Sequence, residues 1–190
     1  MREIKYSNLF LRKAWFFSIL ALSLCFYSKP CEAAKSKELV FSYQIEKKEK
    51  VNPSYCMAIW LETLDGNYVK TLYASDWLAY GGYTVEGVCP VWVEKSIWAT
   101  NADELPDAIS GATPIVGARE MRFQWNKKEL PAGRYIYKIE VHLAADYNEI
   151  YSGEIEFGKA SSRSETKVEY FPEKHKEIAG LLSDVVVVFE

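Results

Sequence analysis

The chain has 190 residues, a formal net charge of −3, 49% hydrophobic residues and 26% charged residues. These values are ordinary for a globular protein of one domain and exclude wholesale disorder. Basic residues form no cluster in the body of the chain, which excludes a nucleic-acid-binding surface. Aromatic residues are numerous, with 6 Trp, 13 Tyr and 9 Phe, and they favour a β-rich core because aromatic side chains pack well on a pleated sheet.

The N-terminus has the pattern of an export signal. A basic start is followed by an uncharged apolar run, Ala14 to Tyr27, which is shorter than the roughly 20 residues that a membrane-spanning helix needs. Small side chains at Cys31 and Ala33 fit cleavage after Ala33. We therefore predict a signal peptide over residues 1–33 and a periplasmic or extracytoplasmic protein. An uncleaved membrane anchor is the alternative.

Cleavage at that point leaves a predicted β-sandwich domain, residues 34–160, and a C-terminal extension with one or two strands, residues 161–190. The signal removes five of the 23 basic residues and two of the 26 acidic ones, so the mature chain has a net charge of −6. Cys56 and Cys89 remain. In an oxidising compartment they can form a disulfide, and two buried free thiols are the alternative. The sequence has no CxxC motif and only two distant histidines, so no metal site is predicted.

The first part of the mature chain has the pattern of β-strands. Glu38–Glu46 alternates between apolar and polar residues, as a half-buried strand does. Cys56–Thr63 is apolar at nearly every position, which indicates a strand covered on both faces. An Asp65-Gly66 turn leads into Tyr68–Tyr73, so these two segments are predicted to form a hairpin.

A long irregular segment, Ala74–Ala118, follows the hairpin. Within it Pro90–Ala99 starts with proline and places Val93 and Ile97 four residues apart, which predicts a short helix entered at Pro90. A connection of this length inside a compact domain is either functional or disordered.

Strands resume after this insert. Alternation in Arg134–Leu143 directs Tyr137 and its neighbours at every second position to the core and puts His142 on the polar face, so His142 is interpreted as a surface residue. The valine-rich C-terminal run has to be buried or paired, because an exposed strand of this kind promotes aggregation. The other predicted strands are Met121–Trp125, Ile150–Phe157, Val168–Phe171 and Val185–Phe189.

The predicted fold is mainly β: an immunoglobulin-like β-sandwich with one short helix in a long insert. The segment LPAGRY, Leu130–Tyr135, is similar to the corner of immunoglobulin-like sandwiches, in which a tyrosine hydroxyl bonds back to a nearby backbone group. The longer run around it resembles a hairpin of small extracytoplasmic immunoglobulin-like modules.

Most of the usual arrangements of catalytic residues are missing from the sequence, although the sequence does not show which of its scattered carboxylates converge. It has no Gly-x-Ser-x-Gly turn for a hydrolase nucleophile and no glycine-rich phosphate loop. We predict no catalytic residue, and the question whether the protein is an enzyme stays open.

The segment DAISGAT, which ends at Thr113, is the strongest candidate for a functional site. It resembles the attachment sequence of extracytoplasmic FMN-carrying proteins, which FAD:protein FMN transferase recognises and in which the last threonine is joined to the FMN phosphate. Pro114 departs from that pattern, where Thr or Ser commonly follows, and it favours extended backbone at Thr113. The resemblance implies five cofactor-binding residues, Asp107, Ser110, Gly111, Ala112 and Thr113. An ordinary glycine-containing turn that leads into the strand ending at Trp125 is the alternative.

The chain as a whole resembles an uncharacterised periplasmic family, "domain of unknown function 2271". The resemblance extends over Tyr55–Gly158 and rests on MAIWLETLDGNYVKTL, DAISGAT, LPAGRY and IYSGEIEFG. It implies a secreted single-domain β protein that works near flavin-based electron transfer. The implied partners are the FMN transferase and membrane or periplasmic redox proteins.

Two functions remain open after the sequence analysis. The first is a flavin-associated electron-transfer module that carries FMN covalently on Thr113, with aromatic side chains of the insert available to contact the flavin ring. The alternative is a non-catalytic binding or accessory module of the cell envelope without a cofactor. The aromatic residues concerned are Trp77, Tyr80, Tyr83, Trp92 and Trp98.

Overall fold

The computed structural model describes residues 37–49, 54–101, 109–144, 146–159, 162–174 and 177–190. The predicted signal peptide lies outside these residues. The described residues belong to one compact unit, Ser36–Glu190, and none of its described helices has the length and apolarity that crossing a bilayer requires.

The described residues form a β-sandwich of two sheets, which confirms the predicted fold class. The four-stranded sheet has the order β5-β1-β10-β8 and the six-stranded sheet the order β4-β3-β2-β6-β7-β9. The strands are β1 (Glu38–Ile45), β2 (Cys56–Glu62), β3 (Tyr68–Ser75), β4 (Ile109–Gly111), β5 (Gly117–Gln124), β6 (Gly133–Ala144), β7 (Tyr147–Phe157), β8 (Ser162–Arg163), β9 (Lys167–Phe171) and β10 (Leu182–Phe189).

All eight predicted strands are present, with ends that differ by a few residues. The predicted hairpin of β2 and β3 is confirmed, since the two strands pair antiparallel and Gly66 in the turn has a positive φ of 77°. The short strands β4 and β8 were not predicted, because three and two residues are too few to show a period.

The core between the sheets is built from the inward-facing side chains, which lie at every second position along the strands. Phe41 of β1 lies at its centre and packs edge-on against Phe123 of β5 and Tyr137 of β6, with ring centroids 5.7 and 5.6 Å away. Edge-on aromatic pairs of this kind each add about 0.5–1.5 kcal/mol beyond the burial of apolar area. The predicted core positions of β6 are therefore confirmed.

The valine-rich C-terminal run is buried and paired, as predicted. Strand β10 lies between β1 and β8, and Val187 and Phe189 are fully buried. Residues of the predicted C-terminal extension contribute to both sheets, since β9 joins the six-stranded sheet while β8 and β10 join the other.

The predicted tyrosine corner is confirmed. The hydroxyl of Tyr135, near the start of β6, donates to the carbonyl oxygen of Pro131 at 3.0 Å. This bond ties the entry of β6 to the preceding turn, as in immunoglobulin-like sandwiches.

The insert folds onto the outer face of the six-stranded sheet and creates a second apolar core. It contains α1 (Asp76–Ala79), a 3-10 turn (Gly82–Thr84), α2 (Pro90–Ser96) and α3 (Trp98–Asn101). The predicted helix is thus present as α2, and it ends at Ser96 because Ile97 adopts a left-handed backbone.

Strand β2 is covered on both faces, as its sequence predicts. Met57, Ile59 and Leu61 face the core between the sheets, whereas the residues between them face the insert. The largest of the latter, Trp60, is fully buried. The continuous apolar run of this strand therefore reflects two different cores.

Candidate functional site

The DAISGAT segment contains β4, which is an edge strand of the six-stranded sheet, and ends just after it. Asp107 lies outside the described residues, and Ser110 is described only through the backbone of β4. Gly111 ends β4, Ala112 is exposed, and Thr113 is half-buried in the irregular segment that follows. The structure therefore locates four of the five predicted site residues, at an edge strand.

Strand β4 is held by parallel pairing with β3 and by one tyrosine. The register pairs Tyr73 with Ile109 and Ser75 with Gly111. The hydroxyl of Tyr73 donates to the carbonyl oxygens of Gly111 and Ala112, at 3.3 and 3.0 Å. These bonds fix the backbone immediately before Thr113.

The Tyr73 hydroxyl is a stable donor. Burial, together with the negative charge of Asp76, raises the pKa of Tyr73 to about 12. The hydroxyl therefore keeps its proton at physiological pH, and the two carbonyl oxygens keep their partner.

The small residues of the motif have different physical explanations. A Cβ at Gly111 would come 3.2 Å from Cε2 of Tyr73, which is tight, so packing accounts for this glycine. Ala112 is exposed and Thr113 is half-buried, so neither side chain belongs to a buried core. The Ala-Thr pair is the part of the motif that lies at the surface.

The structure separates the aromatic residues of the insert into two groups. Trp92 and Trp98 are buried and stack obliquely on each other with ring centroids 4.9 Å apart, so they belong to the second core. Trp77 and Tyr80 are 51% and 80% exposed, and Tyr83 is half-buried against the second core. Only Trp77 and Tyr80 of these five present large aromatic surface to solvent.

Trp77 and Thr113 both follow the C-terminal ends of neighbouring parallel strands, β3 and β4, and so lie at the same end of the sheet. Helix α1 continues directly from β3 and contacts β4. Because Ser75 pairs with Gly111 in a parallel register, Trp77 and Thr113 each lie two residues beyond a paired position. The Trp77 ring packs on Gly82, where a Cβ would collide with it, so the glycine leaves room for the ring.

A buried carboxylate of β6 lies beneath the start of α2. Glu140 is fully buried and accepts hydrogen bonds from the backbone N–H of Val91 at 3.3 Å and of Trp92 at 2.7 Å. Burial raises the pKa of Glu140 to about 7, and the two backbone hydrogen bonds offset only part of this effect. Glu140 therefore anchors the insert to the sheet.

His142 is buried beside Glu140, so its interpretation as a surface residue is wrong. Alternation correctly assigned it to the outer face of β6, but the insert covers that face. Asn148 donates from Nδ2 to the carbonyl oxygens of Gly87 and Asp146, so its Oδ1, 3.2 Å from His142 Nδ1, is an acceptor. His142 therefore carries its proton on Nδ1, and burial lowers its pKa.

A second buried carboxylate, Glu149 of β7, was not identified from the sequence. It accepts hydrogen bonds from the hydroxyls of Tyr147 and Tyr151 and from the backbone N–H of Gly180 and Leu181. It fixes the chain that enters β10. The neighbouring tyrosines at two-residue spacing were the signal that could have indicated it.

These buried polar groups have partners inside the fold and do not converge on an open site. No group of three or more His, Cys, Asp or Glu within the described ranges could hold a metal ion. Cys56 and Cys89 are both buried, and both have free thiols in the structure. Glu140 and His142 therefore hold the insert on the outer face of the six-stranded sheet. The DAISGAT segment at the edge of that sheet remains the candidate site.

Comparisons with known proteins give one match. The family described as "Predicted periplasmic protein (DUF2271)" matches residues 38–170. This range contains the hairpin of β2 and β3, the insert, the DAISGAT segment and the tyrosine corner. No curated protein and no solved structure gives a significant match to the chain.

Proposed function

We propose that the chain, which belongs to the DUF2271 family of predicted periplasmic proteins, is a periplasmic electron-transfer module that carries FMN covalently on Thr113. The family match confirms the predicted family and the periplasmic location. One observation carries the flavin proposal: the Ala-Thr pair of DAISGAT follows an edge strand and lies at the surface.

The residues at this edge fit a phosphoester of Thr113. Ala112, directly before Thr113, is exposed and carries only a methyl group, and Ile115, two residues after it, is 70% exposed. Pro114 between them is buried, so it leaves the exposed side of Thr113 clear for the transferase. Tyr73 holds the two preceding carbonyl groups, so the threonine leaves the sheet from a fixed point.

Attachment uses the Thr113 hydroxyl as the acceptor of a phosphoryl group from FAD. The threonine oxygen forms a bond to the phosphorus of the FMN half, the bond between that phosphorus and the bridging oxygen of the pyrophosphate breaks, and AMP leaves. The hydroxyl proton is lost to solvent or to a base of the transferase. When bound, the flavin supplies electron-transfer chemistry that protein side chains lack.

The exposed aromatic residues give the proposed flavin a surface on this chain. Trp77 is half-exposed and packs on Gly82, and Tyr80 lies one turn further along. Offset stacking on an aromatic face is a favourable contact for a planar ring. Trp92 and Trp98 are excluded from this role because they are buried in the second core.

The test is the intact mass of the mature protein after co-expression in the periplasm with an FAD:protein FMN transferase. We expect a gain equal to FMN less one water in the wild type and no gain in Thr113→Val. Thr100→Val, which removes an exposed threonine of the insert, is the matched control and keeps the gain. Flavin fluorescence of the denatured band must follow the same pattern.

An unmodified wild-type mass, in cells whose transferase modifies a known acceptor protein, overturns the proposal. In that case the accessory module without a cofactor is the remaining function. A mass gain that persists in Thr113→Val also overturns the assignment, because the acceptor is then another residue.

A further inference from the structure

Two cysteines meet between the insert and the six-stranded sheet. Cys56 is the first residue of β2, and Cys89 lies immediately before α2. Both are buried. Sγ of Cys89 is 3.8 Å from the carbonyl oxygen of Cys56, and a carbonyl oxygen lies about 2.4 Å from its own Cα by standard bond lengths. Cys89 Sγ is therefore within about 6 Å of the Cys56 Cα.

The side chain of Cys56 lies on the same side of the sheet as Cys89. Met57, the next residue, faces the core between the sheets, and successive side chains of a strand point to opposite faces. Cys56 and Cys89 accordingly belong to the same apolar cluster under the insert. The Cys89 sulfur therefore lies against the backbone of Cys56, on the side of the sheet to which the Cys56 side chain belongs.

We propose that Cys56 and Cys89 form a disulfide bond in the periplasm, which fastens the insert to the outer face of the six-stranded sheet. Each thiol loses its proton, the two sulfurs form one bond, and two electrons pass to the disulfide of a periplasmic dithiol oxidant. That oxidant takes up two protons and is released as a dithiol. Oxidising compartments such as the periplasm support such bonds.

The surroundings of the two sulfurs point to a permanent bond and not to an exchanging one. Burial raises the pKa of both thiols, so the folded protein disfavours the thiolate that disulfide exchange requires. Oxidation therefore takes place during folding, while the insert is still open. The bond is then closed to solvent and reductants.

The backbone of Cys89 is held in an uncommon conformation by its neighbours. It has φ 44° and ψ 51°, a left-handed conformation that residues with a Cβ seldom adopt. Its N–H donates to Asn148 Oδ1 at 3.1 Å, which holds the residue over the sheet.

The test counts free thiols in protein purified from the periplasm without reductant and unfolded in guanidinium chloride with a maleimide. Because the protein is unfolded, burial cannot protect a thiol. We expect no label on Cys56 or Cys89 before reduction and one on each after reduction, with a non-reduced peptide that links them. Cys56→Ala and Cys89→Ala each leave one labelled cysteine. Label on both cysteines of the unreduced wild type overturns the proposal.

Stability provides a second measurement. Unfolding in the presence of reductant is expected to lower the Tm of the wild type by on the order of 10 °C. The double variant Cys56→Ala/Cys89→Ala is the control, and its Tm must not respond to reductant. An equal response of the two proteins overturns the proposal. Neither measurement involves Thr113, so the result is independent of the proposed flavin.

Discussion

Glu140 and Trp92 are joined by a hydrogen bond of 2.7 Å from the backbone N–H of Trp92 to the Glu140 carboxylate, which binds the insert to the sheet. The bond brings a charged group into a region where apolar residues surround it. Burial of this carboxyl has a consequence for stability that can be measured.

Stability is expected to depend on pH through Glu140. Its folded pKa, about 7, lies above the ordinary value of 4.5, so the folded state binds more protons than the unfolded state between these values. The free energy of unfolding therefore falls as pH rises from about 4.5 to 7, by on the order of 3 kcal/mol. Urea denaturation across this range measures the slope.

Glu140→Gln is expected to remove this part of the slope, because glutamine does not titrate. Glu94→Gln, on an exposed residue of α2, is the matched control and keeps the slope of the wild type. Identical slopes for wild type and Glu140→Gln would show that the carboxyl is not buried in solution.

His142 is expected to make the free energy of unfolding change with pH in the opposite direction to Glu140. Burial lowers its pKa below the ordinary 6.5, so the unfolded state binds more protons in the interval between the folded and unfolded values. The stability that neutral His142 contributes is fully present above pH 6.5 and is lost as pH falls through the folded pKa. Two-dimensional NMR of the imidazole resonances measures that pKa, and titration of a folded His142 at or above 6.5 would contradict the prediction.

Tyr73→Phe is expected to weaken the edge of the sheet without disturbing the core. The variant loses the hydroxyl that donates to the carbonyl oxygens of Gly111 and Ala112. This loss is expected to lower the free energy of unfolding by about 1 kcal/mol. Amide hydrogen exchange at β4 should become faster. The control is Tyr43→Phe, another buried tyrosine, whose hydroxyl lies 3.4 and 3.6 Å from the sulfurs of Met57 and Met121 and makes no hydrogen bond to β4 among the described residues. Unchanged exchange at β4 in Tyr73→Phe would contradict this account of the edge.

If Thr113 carries FMN as proposed, Trp77→Leu is expected to change the fluorescence of the flavin but not its attachment. A tryptophan stacked on the flavin quenches its fluorescence, so the folded variant should fluoresce more strongly than the wild type at equal flavin content. The mass gain should be the same in both proteins. Tyr83→Leu, on a half-buried residue of the same insert, serves as the control. Equal fluorescence of wild type and Trp77→Leu would show that the ring does not contact Trp77.

The sequence predicted the sandwich because alternation is a local property. The core side of β6 at Tyr137, and the two-sided burial of β2, follow directly from hydrophobic period. The prediction that His142 lies at the surface was wrong for a related reason. Alternation assigns a side chain to one face of a sheet but does not say what covers that face, and here a segment some fifty residues earlier in the chain covers it.

The candidate site could be predicted only as a motif. DAISGAT resembles a recognition sequence, but the parallel pairing of β4 and its hydrogen bonds to Tyr73 depend on contacts distant in sequence. The proximity of Cys56 and Cys89 has the same origin, because the 3.8 Å contact between them is made by the folding of the insert. Such contacts leave no periodic signal in the chain.

The pairing of the first and last described strands has a consequence for biogenesis. Glu38 and Glu190 exchange backbone hydrogen bonds of 2.9 and 3.0 Å, and β10 is an inner strand of the four-stranded sheet. A chain that crosses a membrane N-terminus first exposes β1 long before β10 emerges. The four-stranded sheet therefore cannot close on the far side of the membrane until Phe189 has crossed it.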